Sequence, residues 1–92
     1  MANDDQNTPP LLNFPCEFVI KAFGLANDEF EKAVITIMRK HVSDLREDAF
    51  KTRPSKDGKY NAITVTINAE SREQLDDIYR ELSANPLVLM AL

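Results

Sequence analysis

Few side chains in this 92-residue chain could carry out chemistry, since His41 is its one histidine and Cys16 its one cysteine. A general base needs a nucleophile or an orienting acid within reach, and the sequence shows no Ser/His/Asp or Cys/His grouping. His41 is at the C-terminal end of a predicted helix, where a basic side chain interacts favourably with the helix dipole, so a structural role explains this residue. Glu17 disfavours the thiolate that a nucleophilic Cys16 would need. We therefore expect no catalytic residues and a protein that is not an enzyme.

The composition narrows the remaining functions. One cysteine and one histidine cannot build a zinc site without several carboxylates, so we expect no metal and no cofactor. Fifteen acidic and eleven basic residues give a net charge of −4, which argues against nonspecific binding to nucleic acid or to an anionic membrane. No apolar run approaches the ~20 residues that span a bilayer. The N-terminus lacks a signal-peptide pattern, and the cytoplasm is the expected compartment.

One group of polar side chains forms a candidate ligand site. Its members are Lys21, Arg53, Ser55, Lys59 and Tyr60. The predicted topology brings the ends of two strands and the start of a third to one corner of the sheet. Cations, a phenol and a hydroxyl there could hold a carboxylate or phosphate by charge-assisted hydrogen bonds. The alternative is that the basic side chains lie over the sheet and pair with Glu17 or solvent.

Hydrophobic periodicity predicts the elements that position these residues. Two-residue alternation predicts strands at 16–23, 49–53, 60–68 and 87–92. Three- and four-residue spacing predicts a helix at 28–41 and a second one between Ser71 and the Asn85–Pro86 stop. Asp28 with Glu31 is expected to cap the first helix, and Ser71 with Gln74 the second.

The third strand shows how the sheet is covered. Its apolar residues, Ile63, Val65 and Ile67, point to one side, and Tyr60, Ala62, Thr64 and Thr66 point to the other. With right-handed crossovers, the order β-α-β-β-α-β places both helices on one face of a four-stranded antiparallel sheet of order 4-1-3-2. This is the ferredoxin-like plait of the α+β class. Residues 1–10 are predicted to be a disordered tail, and residues 11–92 a single domain.

Several sequence blocks resemble the YbeD-like family of small uncharacterised bacterial proteins. The blocks are Phe14-Pro15-Cys16-Glu17-Phe18 with Lys21 and Gly24; Pro54-Ser55 with Gly58, Tyr60, Ala62, Thr64, Val65 and Ile67; Ala69, Ser71 and Glu73-Gln74; and Val88, Met90 and Leu92. Together they span residues 14–92. The resemblance implies a ferredoxin-like, ACT-domain-like fold and no established activity.

The sheet side that the helices leave uncovered predicts association. By alternation its apolar members are Val19, Phe23, Ala62, Leu87 and Leu89. Exposed apolar patches of this kind mark contact surfaces, so we expect a homodimer or a protein partner there. The alternative is that residues 11–14 fold back and cover the patch.

The sequence therefore predicts a non-enzymatic regulatory or adaptor module that self-associates and binds a small anionic ligand or a protein partner. Two other classes remain as alternatives. One is a small enzyme that uses Lys21, Arg53 and Tyr60. The other is weak binding of single-stranded RNA across the sheet, against which the acidic composition argues.

Overall fold

The computed structural model describes residues 13–92, so the predicted tail and the Leu11–Leu12 part of the covering segment lie outside the described residues. The elements are β1 (Cys16–Leu25), α1 (Asp28–His41), β2 (Phe50–Pro54), β3 (Tyr60–Ala69), α2 (Arg72–Ala84) and β4 (Val88–Ala91). A 3-10 turn, Glu47–Ala49, precedes β2. The element order agrees with the predicted one. Neither helix within this range has the length and apolarity needed to cross a membrane.

The sheet has the order β2-β3-β1-β4, and each strand is antiparallel to its neighbours. The central pair, β1 and β3, stays in register over ten residues, from Cys16 opposite Ala69 to Leu25 opposite Tyr60. The edge strand β2 pairs with β3 over five residues. This arrangement confirms the predicted α+β plait with the order 4-1-3-2.

The core lies between the helices and one face of this sheet. Ile63, Val65 and Ile67 are at most 3% exposed, as the alternation predicts. They share one cluster with buried residues of both helices, such as Phe30 and Ile78. Burial of each large side chain of this kind contributes about 1.5–3 kcal/mol, so the helices hold to the sheet mainly through these contacts.

The two helix starts are capped by different residues. The predicted Asp28 cap is wrong: Asn27 caps α1, and its Oδ1 accepts a hydrogen bond from the Phe30 N–H at 2.8 Å. Asparagine and aspartate cap equally well, and β1 runs on to residue 25, so the chain turns into the helix at Asn27. The predicted Ser71 cap of α2 is confirmed by the Gln74 N–H, which donates to Ser71 Oγ at 3.1 Å.

Gln74 also joins the two helices. Its Oε1 accepts from the Glu70 N–H at 2.7 Å, and its Nε2 donates to the carbonyl oxygen of His41 at 2.9 Å. The latter bond satisfies a carbonyl at the end of α1, which has no partner within its own helix. One amide side chain therefore ties the start of α2 to the end of α1.

The last strand departs from simple alternation. Val88 lies opposite Gly24 and Met90 opposite Phe23, so one extra residue, Leu89, interrupts the register. Such a bulge reverses the expected sides of the residues that follow it, so Met90 and Leu92 are exposed and Ala91 packs against the core. Leu87 lies in the turn before β4 and also packs against the core, so its predicted placement on the uncovered sheet side is wrong.

A cluster of charges fastens the ends of the helices. Glu81 in α2 pairs with His41 through Oε1, and with Lys40 through Oε2 at 3.1 Å from its Nζ. These hydrogen bonds, from His41 first and Lys40 second, hold the pKa of the Glu81 carboxyl below its ordinary value. The lone histidine thus has a structural partner.

We expect Glu81→Gln to lower stability at neutral pH, because it removes the carboxylate that faces His41 and Lys40. Since the folded pKa of Glu81 lies below its unfolded value, the stabilisation is complete above the ordinary glutamate pKa of about 4.3. It is lost as the pH falls through the lower folded pKa. Urea unfolding across pH should show the gap between wild type and variant narrowing in acid. A constant gap, or the same narrowing in the exposed-site control Asp76→Asn, would contradict this role.

Gly24 is required where β1 passes α1. A Cβ at this position would lie 2.5 Å from Cδ1 of Phe30 and 2.6 Å from the carbonyl oxygen of Leu87. We expect Gly24→Ala to destabilise the protein by about 1–3 kcal/mol through overpacking, measured as a lower urea midpoint. The matched control is Gly58→Asn, at an open hairpin position with φ of 74° that asparagine tolerates. Equal stability of wild type and Gly24→Ala would contradict this expectation, because it would show that the Phe30 ring and the Leu87 carbonyl can move to make room for the added methyl group.

Candidate functional site

The uncovered side of the sheet, called the open face below, is built by the outward-facing residues of the strands. Strand register arranges these residues in rows. From β2 to β4, the middle row is Lys51, Thr64, Lys21 and Leu92, and the next row is Arg53, Ala62, Phe23 and Met90. Tyr60 and Leu25 follow in a third row. Neighbours within a row have Cβ atoms about 5 Å apart, so each row is a continuous strip of side chains.

Large apolar side chains are exposed on this side of the protein. Within residues 13–92 the exposed ones are Val19, Leu25, Tyr60, Leu89, Met90 and Leu92. All belong to the open face or to the β4 edge beside it. Leu89 is 60% exposed at the bulge of the edge strand β4. The bulge adds Met90 and Leu92, which simple alternation did not predict.

Charge is distributed unevenly between the two sides of the protein. The sheet and the β2–β3 hairpin carry five basic residues, Lys21, Lys51, Arg53, Lys56 and Lys59, against two acidic ones, Glu17 and Asp57. Within residues 13–92, none of these five cations forms a salt bridge, and every ion pair lies in α1, α2 or the loop between α1 and β2. Within residues 13–92 the surplus of acidic residues therefore lies on the helix side.

The predicted corner site is only partly assembled. Arg53, Ser55 and Tyr60 line one hollow of about 260 Å³ together with Phe23, Pro54, Asn61 and Ala62. We call this the corner hollow. Lys21 and Lys59 do not line it. Alternation predicts Phe23 and Ala62 on the open face as members of the association patch, and it does not predict that they form walls of the ligand site.

Lys21 is separated from Arg53 by strand register. Its partner across β3 is Thr64, whereas the partner of Arg53 is Ala62. Two strand spacings and two residues along the strand give a Cα separation of about 12 Å. Lys21 and Arg53 therefore lie in different rows of the open face, and the cation in the same row as Lys21 is Lys51.

The Ser55 hydroxyl makes two hydrogen bonds within the hairpin, one as a donor and one as an acceptor. Its Oγ donates to Asp57 Oδ1 at 2.8 Å and accepts from the Tyr60 N–H at 3.1 Å. The bond from Ser55, followed by one from the Lys59 N–H, lowers the pKa of the Asp57 carboxyl. This hydroxyl closes the hairpin and has no proton left to offer a ligand.

A larger hollow of about 600 Å³ lies on the helix side, between α1, α2 and the turn before β4. Charges of both signs line it, including Glu29, Lys32 and Glu81. It contains no residue of the predicted ligand site. In the part of the chain that the structure describes, no three potential metal-ligating side chains come together.

The topology defines a ferredoxin-like α+β protein, and two solved structures share its fold. The solution structure of protein HP0495 from H. pylori covers 97% of this chain and 91% of its own, with a TM-score of 0.73 and 16% identity. Uncharacterized protein TM1266 from Thermotoga maritima covers 84% of this chain and 94% of its own, with a TM-score of 0.63 and 8% identity. At such identities the likeness shows the fold alone.

The chain belongs to the family described as protein of unknown function DUF493, which matches residues 9–92. A UPF0250 protein from Paraburkholderia phytofirmans is 44% identical over 82 residues, covering 89% of this chain and 92% of the relative. Another UPF0250 protein, from Neisseria gonorrhoeae, is 40% identical over 89 residues, covering 97% and 98%. These matches confirm the resemblance to the YbeD-like family.

We expect Ser55→Ala to loosen the hairpin without unfolding the sheet, because it removes the acceptor of the Tyr60 N–H and the donor to Asp57. The Tyr60 amide should exchange with solvent faster. The pKa of Asp57 should move up toward the ordinary aspartate value, and a carboxyl-carbon NMR titration measures it. Ser83→Ala, at an exposed helix position, is the control. An unchanged Asp57 pKa in Ser55→Ala would contradict the geometry.

Proposed function

We propose that this protein is a non-enzymatic adaptor or regulatory module whose open face binds a protein segment carrying carboxylates beside apolar side chains. The observation that supports the proposal is a coincidence on one surface. Exposed large apolar residues and three cations that form no ion pair within residues 13–92, Lys21, Lys51 and Arg53, lie on the same sheet. Apolar contact supplies affinity in such a surface, and charge complementarity supplies specificity and speed of association.

The size of the open face fits this role. The four strands have 10, 5, 10 and 4 residues. At a rise of about 3.3 Å per residue and a spacing of about 4.8 Å between strands, the face measures on the order of 500 Å². A standard protein–protein interface buries about 800 Å² on each partner. A partner segment that also contacts the β2–β3 hairpin reaches that range.

Charge favours a partner other than a second copy. Two open faces packed together would bring Lys21, Lys51 and Arg53 of one copy near the same cations of the other. Like charges opposed across an interface cost association energy. An acidic segment instead pairs with these cations. Self-association through Val19, Phe23, Ala62 and Leu89 stays a prediction that the experiment below also tests.

A binding role also agrees with what the reactive groups do. His41 is paired with Glu81 at the helix ends, and the Ser55 hydroxyl closes the hairpin. An enzyme at the corner would need a base and a nucleophile within hydrogen-bonding distance. The residues that line the corner hollow include no histidine, cysteine or carboxylate. The corner is therefore better suited to holding a ligand than to transforming one.

The test uses a synthetic peptide in which glutamate alternates with leucine, and a matched peptide with lysine in place of glutamate. NMR shift mapping should place the glutamate peptide on Val19, Lys21, Phe23 and Lys51. Loss of two ion pairs in the double variant Lys21→Glu, Lys51→Glu should weaken binding about tenfold. Reversal of a helix-side cation, Lys32→Glu, should leave the affinity unchanged.

Three outcomes would overturn the proposal. One is equal affinity for the glutamate and lysine peptides, which would mean that charge is not recognised. A second is tighter, steeply salt-dependent binding of single-stranded oligouridylate on the same residues, which would favour RNA. The third is a dimer mass that reverts to a monomer in the double variant, which would assign the open face to a second copy of the chain.

A further inference from the structure

We infer that the corner hollow is a binding site for a small monocarboxylate with an apolar or aromatic body. This inference does not depend on the proposed protein partner, because it rests on the residues that line the corner hollow, which do not include Lys21 or Lys51. It also differs from the predicted site of several cations, since only one cation lines the hollow.

The shape of the hollow follows from the sizes of neighbouring side chains. Ala62 lies in the middle of the row, with Arg53 opposite it on β2 and Phe23 opposite it on β1. A short side chain between two long ones leaves a depression over the sheet. Tyr60 and Pro54 line the hollow at the hairpin end of the sheet. The hollow therefore has one basic wall and otherwise mainly apolar or aromatic side-chain walls.

The anionic part of the ligand is specified by Arg53. This side chain is exposed and forms no ion pair within residues 13–92. The nearest acidic residue along the hairpin is Asp57, and its Oδ1 is occupied by the Ser55 hydroxyl and the Lys59 N–H. A guanidinium offers a planar pair of donors that matches a carboxylate. One cation, with Lys21 and Lys59 outside the hollow, suits a single negative charge.

The rest of the ligand is specified by the walls. Ser55 has no free proton, so the Tyr60 hydroxyl is the other side-chain donor that remains available on the outward side. Asn61 lies in the core-side register and donates through Nδ2 to Glu31 at 3.4 Å. A ligand rich in hydroxyls would leave them unpaired against Phe23, Pro54 and Ala62, which costs binding energy. The walls therefore favour an apolar body.

The volume sets the size of the ligand. A hollow of about 260 Å³ is smaller than most drug-binding pockets. Since water occupies about 30 Å³ per molecule, the hollow has room for roughly nine water-sized groups. This corresponds to a compact ring or branched chain with a carboxylate. Inorganic phosphate would contact Arg53 and leave most of the apolar wall empty.

Phenylacetate is a suitable probe, with phenylacetamide as its uncharged counterpart of the same size and inorganic phosphate as a probe of charge alone. NMR titration with phenylacetate should shift the amide signals of Phe23, Tyr60 and Ala62. We expect phenylacetamide to bind about tenfold more weakly, because it lacks the negative charge that strengthens the hydrogen bonds from the Arg53 guanidinium. Phosphate should bind more weakly than phenylacetate.

Two variants and one control test whether Arg53 and Ala62 form the phenylacetate site. Arg53→Gln should weaken phenylacetate about tenfold, by the loss of a charged hydrogen bond. Ala62→Leu fills the floor of the hollow without a change of charge and should abolish saturable binding. Lys21→Gln removes a cation from the next row and should leave the affinity unchanged. The amide spectrum of each variant reports directly whether the sheet is intact.

The inference is overturned if phenylacetate causes no saturable shifts, or if phenylacetamide binds equally well. Equal losses in Arg53→Gln and Lys21→Gln would show general attraction to a basic surface, not a site. Failure here is distinguishable from failure of the proposed function. The glutamate peptide is tested through Lys21 and Lys51, whereas phenylacetate is tested through Arg53 and Ala62.

Discussion

The ladder between β1 and β3 is the constraint on which the rest of the structure depends. Because ten residue pairs stay in register from Cys16–Ala69 to Leu25–Tyr60, every inward residue of one strand meets an inward residue of the other. A shift by one residue would turn the isoleucines of β3 toward solvent. The same register fixes which side chains share a row on the open face. Core and site are therefore two consequences of one set of backbone pairings.

The two faces of the sheet are completed by different means. On the helix side, apolar packing is supplemented by polar links between the helices, through Gln74 to the His41 carbonyl and through Glu81 to Lys40 and His41. Those links use the one histidine in a structural role. On the open face the exposed cations have no salt-bridge partner within residues 13–92. Polar groups are thus paired where the helices meet and available where the sheet is uncovered.

The sequence alone predicts the elements, the sheet order and the buried side of β1 and β3. In a long strand with strict alternation, only one of the two sides can be buried without exposing a row of apolar residues. The sequence does not predict the side of Met90, since the bulge at Leu89 depends on how β4 meets β1, nor does it predict that Leu87 lies in the turn before β4. Nor does it predict that Lys21 and Arg53 lie in different rows of the open face. That distinction needs the exact register across two strand pairs, and alternation defines only the side of a sheet. Asn27 and Asp28 are equivalent caps in sequence, and the end of β1 decides between them.

The segregation of charge has a consequence for how the protein meets other molecules. With a surplus of basic residues on the sheet side and of acidic residues on the helix side, residues 13–92 carry an electric dipole directed roughly across the sheet. An anionic surface at a distance exerts a torque on such a dipole and turns the open face toward itself before contact. Because ions screen charges beyond about 8 Å at physiological ionic strength, this orienting effect acts over the last few molecular layers of water. The uncovered strands are then the first part of the protein to arrive.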